Sequence, residues 1–166
     1  MEIRTPLFAV VITVAAVVFD KAAQTKESVK MSQNSAVRFI KSDTLPPSPG
    51  YSQAADVRAG SRIVYIAGQV ALDRAGKLVG EGDFRAQATQ TFENLKAALQ
   101  ASGANFENVV KLNSYFVDMS QLPAFREVRD TYVNTANPPA GTAVQVSRLF
   151  REGFLVEVEA IAVVPE

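Results

Sequence analysis

Apolar positions follow two rhythms along this chain, and the rhythms place its elements. Phe84, Ala88, Phe92, Leu95 and Leu99 recur at intervals of three and four, the period of one helix face. Asp83 stands where an N-cap belongs and Gly103 where a C-terminal cap belongs. A second helix is predicted from Ser120 to about Asn134, with Pro123 in its first turn, where a missing N–H is tolerated; Asn137-Pro138-Pro139 ends it. Four runs have strand character: Arg62–Ala67 (RIVYIA), Val109–Val117 (VVKLNSYFV), Thr142–Ser147 (TAVQVS) and Phe154–Val163 (FLVEVEAIAV). Residues 41–50, rich in Pro and Ser, form a loop; Asp73–Gly76 is a turn; Arg148–Gly153 is expected to join the last two strands as a hairpin. With one more strand ahead of Arg62, the order β-β-α-β-α-β-β predicts an α/β subunit of the α+β kind, with helices on one face of a mixed sheet. Neither an internal repeat nor a second domain is visible.

The first thirty residues break this pattern. Leu7–Phe19 (LFAVVITVAAVVF) is uncharged and apolar, but it falls short of the roughly 20 residues a membrane-spanning helix needs. Its length suits a signal-peptide core, whereas Glu2, Asp20 and Lys21 suit the flanks less well. Two readings remain open. Residues 1–30 are an apolar extension that exports or anchors the protein, or they are untranslated and a cytoplasmic domain, residues 31–166, starts at Met31. On either reading, no stable membrane insertion of the domain itself is expected.

Composition narrows the chemistry. The 166 residues hold 17 basic and 17 acidic side chains, so no net field gathers nucleic acid, and none is expected as a partner. Histidine and cysteine are both absent, which removes Ser–His and Cys–His catalysis, disulfides and thiolate metal sites. Any catalysis falls to carboxylates, Arg, Lys, Tyr, hydroxyls or backbone dipoles.

Against that background a few residues stand out. Glu157 and Glu159 lie two apart in the last strand, on one face with Leu155, Ile161 and Val163. A carboxylate among apolar neighbours pairs with a cation, shifts its pKa or walls a pocket; a solvated strand face is the plainer alternative. Leu122, Phe125, Arg129 and Tyr132 share a helix face, which sets Arg129 in an apolar stripe. It can snorkel to water, or line a cavity and grip a carboxylate through two parallel hydrogen bonds. Tyr51 follows Pro49-Gly50 in a loop, and Gly68 after RIVYIA allows close approach of a backbone or ligand.

Several segments in register resemble the Rid (YjgF) family, also called endoribonuclease L-PSP. They are SPGYSQA (Ser48–Ala54), YIAGQVALDRAGKLVG (Tyr65–Gly80), QATQTFENLKAAL (Gln87–Leu99), VVKLNSYFVDMS (Val109–Ser120), NPPAGTAVQV (Asn137–Val146) and VEVEAIAVV (Val156–Val164). The resemblance spans residues 37–164. It implies a chorismate-mutase-like subunit that assembles into a homotrimeric barrel with small-molecule clefts between subunits. It also implies a deaminase that hydrolyses reactive enamines and imines, such as 2-aminoacrylate, without metal or cofactor. By position, the loop tyrosine of such a cleft is Tyr51, the water-activating glutamate is Glu157, and the glycine of the strand end is Gly68.

The resemblance also implies a substrate-binding arginine, and there this chain carries Gly141, in Pro139-Ala140-Gly141-Thr142; Ala143 replaces a cysteine sometimes found two residues on. Loss of a desolvated bidentate arginine removes roughly 2–5 kcal/mol of binding. Arg129 is the expected substitute, supplying the cation from the helix. Two functions follow from the resemblance: a hydrolase of a small imine or enamine, and a non-catalytic trimer that binds a metabolite. Ribonuclease activity does not suit a neutral chain without histidine.

Overall fold

Every second residue of the last strand is sealed from solvent. Val156, Val158, Ala160 and Ala162 are each at most 3% exposed. That alternation marks a strand with one face under helices, and the computed structural model, which describes residues 36–166, places it inside the sheet. Strands β3 (Ser61–Gln69), β4 (Val109–Phe116), β5 (Ala140–Gln145) and β6 (Val156–Pro165) form a four-stranded sheet in the order β3-β6-β4-β5. β6 runs antiparallel to both neighbours, and β4 pairs parallel with β5. Two short strands, β1 (Val37–Ile40) and β2 (Ala54–Val57), make a separate antiparallel pair. Helices α1 (Phe84–Ala101) and α2 (Leu122–Arg129) cover one face of the mixed sheet, as expected.

The core lies between α1 and that face. Phe92, Leu95 and Leu99 are completely buried, and Phe92 stacks on Tyr132 at 5.0 Å and meets Phe125 at 5.6 Å, which locks α2 to α1. Truncation of a phenylalanine in such a site typically costs about 3–5 kcal/mol. Asp83 caps α1 by accepting from the Ala86 N–H, and Gly103 adopts φ +70° just past its end. Buried Gln87 clasps the entry to β6: its amide donates to the carbonyls of Gly80 and Gly153 and its oxygen accepts from the Leu155 N–H.

Three details differ from the sequence expectation. β2 is an additional strand, too short and mixed (AADV) to announce itself. α2 ends at Arg129, because the chain turns after Asp130 and a short 3₁₀ turn, Met119–Gln121, takes up its start. Arg148–Gly153 does not close a hairpin: β5 and β6 flank β4 on opposite sides. β5 is largely exposed and suits an edge, whereas β6, with its sealed face, belongs between two strands. Among the described residues, no helix is long and apolar enough to cross a membrane. Leu7–Phe19, Met31 and the boundary between residues 30 and 31 lie outside the described residues.

Candidate functional site

The loop of residues 48–52 meets the start of β5 through Ser52. Its N–H donates to the Pro139 carbonyl at 3.1 Å, and its buried hydroxyl donates to the Pro138 carbonyl at 2.7 Å. The contact sets Tyr51 against Gly141, where an added Cβ would lie 3.2 Å from the tyrosine Cβ. α2 closes the opposite side. Between them is a cleft of about 230 Å³, floored by Leu112 and Ser114 of β4 and bordered by Gly141 and Ala143 of β5. Cross-strand pairing puts Leu112 beside Gly141 and Ser114 beside Ala143, on the helix-covered face. Leu122, Phe125 and Pro139 supply apolar wall, and Arg126 and Arg129 supply charge.

Arg129 is held in place. Its side chain is 13% exposed, its Nε donates to Asp130 Oδ1 at 2.8 Å, and Nη2 lies in an ion pair 2.7 Å from the same oxygen. Nη2 also lies 2.7 Å from where a Cβ on Gly50 would stand, and Gly50 has φ +79°. Both the backbone conformation and the guanidinium therefore exclude a side chain at position 50. Arg126 is half-buried and makes no side-chain hydrogen bond or ion pair among the described residues, so its donor fork remains free.

The other face of the sheet carries the carboxylates. Glu157 pairs across with Tyr115, and Glu159 with Asn113. Glu159 is satisfied: it accepts from Asn113 Nδ2 at 2.7 Å and from the Tyr115 hydroxyl at 3.1 Å. Glu157 has no such donor among the described residues. Its carboxylate folds over Gly68, filling the space a side chain there would need, where the β3–β6 ladder slips between Ile66 and Gln69. Partial burial, and then the charge of Glu159, raise the Glu157 pKa above the ordinary carboxylate value. A carboxylate with free lone pairs and a raised pKa is suited to take a proton from water. Further along the same face, opposite Ile161 and Val163, Tyr65 and Ile63 are 77% and 50% exposed.

The structure thus gathers Tyr51, Arg129, Gly141 and Ala143 around one cleft and sets Glu157 and Gly68 together on the opposite side of the sheet. Arg129 neither snorkels to water nor meets Glu157 within the subunit. Tyr132, assigned to the same helical stripe, instead packs on α1 and donates to Glu93 at 2.8 Å. Arg126 and Ser114 are cleft residues that the sequence reading missed. The signal for Arg126 was present: 122, 125, 126 and 129 complete a helix face at i, i+3, i+4 and i+7.

The chain matches the family model described as endoribonuclease L-PSP over residues 42–164. It is 43% identical over 129 residues to protein DfrA of Myxococcus xanthus, covering 77% of this chain and 96% of the relative. It is 39% identical to the 2-iminobutanoate/2-iminopropanoate deaminase of Mus musculus, covering 78% of this chain and 94% of the enzyme. Its fold matches a solved Rid-family protein of unknown function from Yersinia pestis, with a TM-score of 0.72, 35% identity, and coverage of 77% of this chain and 98% of that one. With the sheet order and the edge cleft already described, these matches show that the chain belongs to the Rid (YjgF) family.

Proposed function

We propose that this protein is a hydrolase, acting without metal or cofactor, that deaminates a small reactive imine or enamine as a homotrimer with clefts between subunits. The observation that carries the reading is the split of its chemistry: cations in a cleft at the open edge strand, and an unpaired, raised-pKa glutamate on the apolar opposite face. Burying that face against a neighbouring subunit covers Tyr65 and Ile63 and carries Glu157 towards a neighbour's cleft. A deaminase among the relatives supports the choice of reaction.

In this mechanism the Arg129 guanidinium holds the substrate carboxylate from α2, since Gly141 offers no side chain, while Tyr51 shapes the cleft. Glu157 takes a proton from water as its oxygen bonds to the imine carbon. Glu157 passes that proton to the nitrogen, then takes the proton of the new hydroxyl and passes it on likewise as the C=O forms and the C–N bond breaks, giving a carbonyl compound and ammonia. Backbone donors near Gly141, on the unpaired edge of β5, face the developing charge.

One observation favours a second reading, a trimer that binds a metabolite without turning it over: within the subunit, Glu157 does not line the cleft. The test is decay of imines generated in place by an amino-acid oxidase, with wild type, Glu157→Gln and buffer compared. Acceleration that disappears in the variant supports the hydrolase. Equal decay in all three, across small and aromatic imines, leaves the binder.

A further inference from the structure

The cleft contains two guanidinium groups that are not equivalent. Arg129 donates its Nε–H to Asp130, keeps Nη2 in an ion pair with the same carboxylate and lies pressed against Gly50, so it presents only part of its fork. Arg126 sits one turn earlier on the same cleft wall with its whole fork unpaired among the described residues. A free planar fork beside a fixed cation is the arrangement that grips a single carboxylate in two parallel hydrogen bonds. With Asp130 offsetting one arginine, the subunit's own groups leave one net positive charge in the cleft before any neighbour's glutamate approaches, which matches one negative charge and not two.

The rest of the lining carries no charge. Leu112, Leu122, Phe125 and Pro139 form an apolar wall, and Gly141 and Ala143 leave the β5 side without bulk. Ser114, which makes no side-chain hydrogen bond among the described residues, supplies a single hydroxyl at the floor. A ligand with only a methyl group beyond its carboxylate leaves most of that wall in contact with water. One with a branched or aromatic group covers it.

We infer that the cleft is selective for a monocarboxylate bearing a bulky apolar group, such as the 2-oxo or 2-imino acid of a branched or aromatic amino acid, and that Arg126 grips its carboxylate together with Arg129. Arg129 acts beside it as a positioned neighbour. The inference rests on the proposed assignment of this cleft to a carboxylate ligand. It is tested by binding alone, so an absence of hydrolysis leaves it intact.

The experiment is isothermal titration of the full chain with stable 2-oxo acids: phenylpyruvate and 4-methyl-2-oxopentanoate, against pyruvate and 2-oxoglutarate, with 4-methylpentan-2-one as the probe lacking a carboxylate. The two apolar oxo acids are expected to bind at least about tenfold more tightly than pyruvate or 2-oxoglutarate, a difference that a few buried methylenes supply. Arg126→Gln should weaken them by about tenfold or more while leaving the ketone unchanged, and Arg126→Lys should recover part of the loss. Ala143→Leu, which fills the β5 side, should weaken phenylpyruvate more than pyruvate. Equal affinity across the panel, preference for 2-oxoglutarate, no binding of any oxo acid, or an unchanged affinity in Arg126→Gln would each overturn the inference. If Arg126→Gln fails to fold by circular dichroism, Arg126→Lys and Ala143→Leu decide the outcome through their selectivity.

Discussion

The two faces of the central sheet differ in how their charges are held. On the helix-covered face, Arg129 is fixed by Asp130 and by the missing side chain of Gly50, and Arg126 is free beside it. On the open face, Glu159 is fixed by Asn113 and Tyr115, and Glu157 is free beside it over Gly68. Each face pairs a tethered group with an untethered one. The tethered members keep the geometry, and the untethered members have donors or lone pairs left for a ligand. Neither face alone holds both the anchor and the base of an imine hydrolase, so the comparison ties function to how subunits meet.

The comparison is broken most severely by removing the free carboxylate. Glu157→Gln is expected to lower imine hydrolysis by about 10²–10⁴-fold, the usual worth of a positioned general base, with ligand binding in the cleft nearly unchanged. Steady-state turnover and titration on the same preparation check both halves. A loss of affinity equal to the loss of turnover would place Glu157 in binding instead.

Arg129→Gln comes next, with an expected loss of about 10- to 100-fold in kcat/KM from a charge-assisted contact. Gly50→Ala tests the seat of the same arginine. A left-handed conformation costs a non-glycine residue about 1–2 kcal/mol, so the thermal midpoint should fall and KM should rise as the guanidinium is displaced. An unchanged midpoint and KM would show that Gly50 seats nothing.

A smaller effect is expected from Gly68→Ala. Its new methyl group meets only the end of the Glu157 side chain, so the carboxylate should swing aside and turnover drop a few-fold while stability and cleft affinity hold. The smallest effect is on stability against pH. The Glu157 pKa is raised in the folded state, so the folded protein binds more protons than the unfolded chain above the ordinary carboxylate pKa. This residue's contribution therefore weakens stability as pH rises from the ordinary carboxylate range up to the raised folded value, and is constant beyond it. Denaturation midpoints of wild type and Glu157→Gln should diverge across that window, with the variant losing less.

Much of this was legible in the residues. The 3.6-residue period of α1, its Asp83 cap and the alternation of VEVEAIAV gave helix, boundary and strand, because local burial sets those patterns. The partner of β5 was not legible, since an edge strand and a hairpin arm share one composition; the choice was made by β6, whose sealed face needs neighbours on both sides. In the site, Arg129 showed itself as a charge inside an apolar stripe, and Glu157 as a carboxylate on a semi-apolar strand face. Arg126 was hidden because a surface arginine in the last turn of a helix is ordinary, favoured there by the helix dipole. That the cleft and Glu157 lie on opposite faces depends on the register of β4, β5 and β6, a tertiary fact that strand periodicity alone does not supply.

The central claim is that Glu157 of one subunit serves the cleft of another. The most direct measurement is complementation between two impaired variants, Glu157→Gln and Arg129→Gln, co-expressed with different tags and purified as mixed oligomers. If each site draws its glutamate and its cleft from different subunits, about a quarter of the sites in a randomly mixed assembly carry both intact groups, and that fraction of wild-type hydrolysis returns. Mixed oligomers no more active than either variant alone would contradict the account.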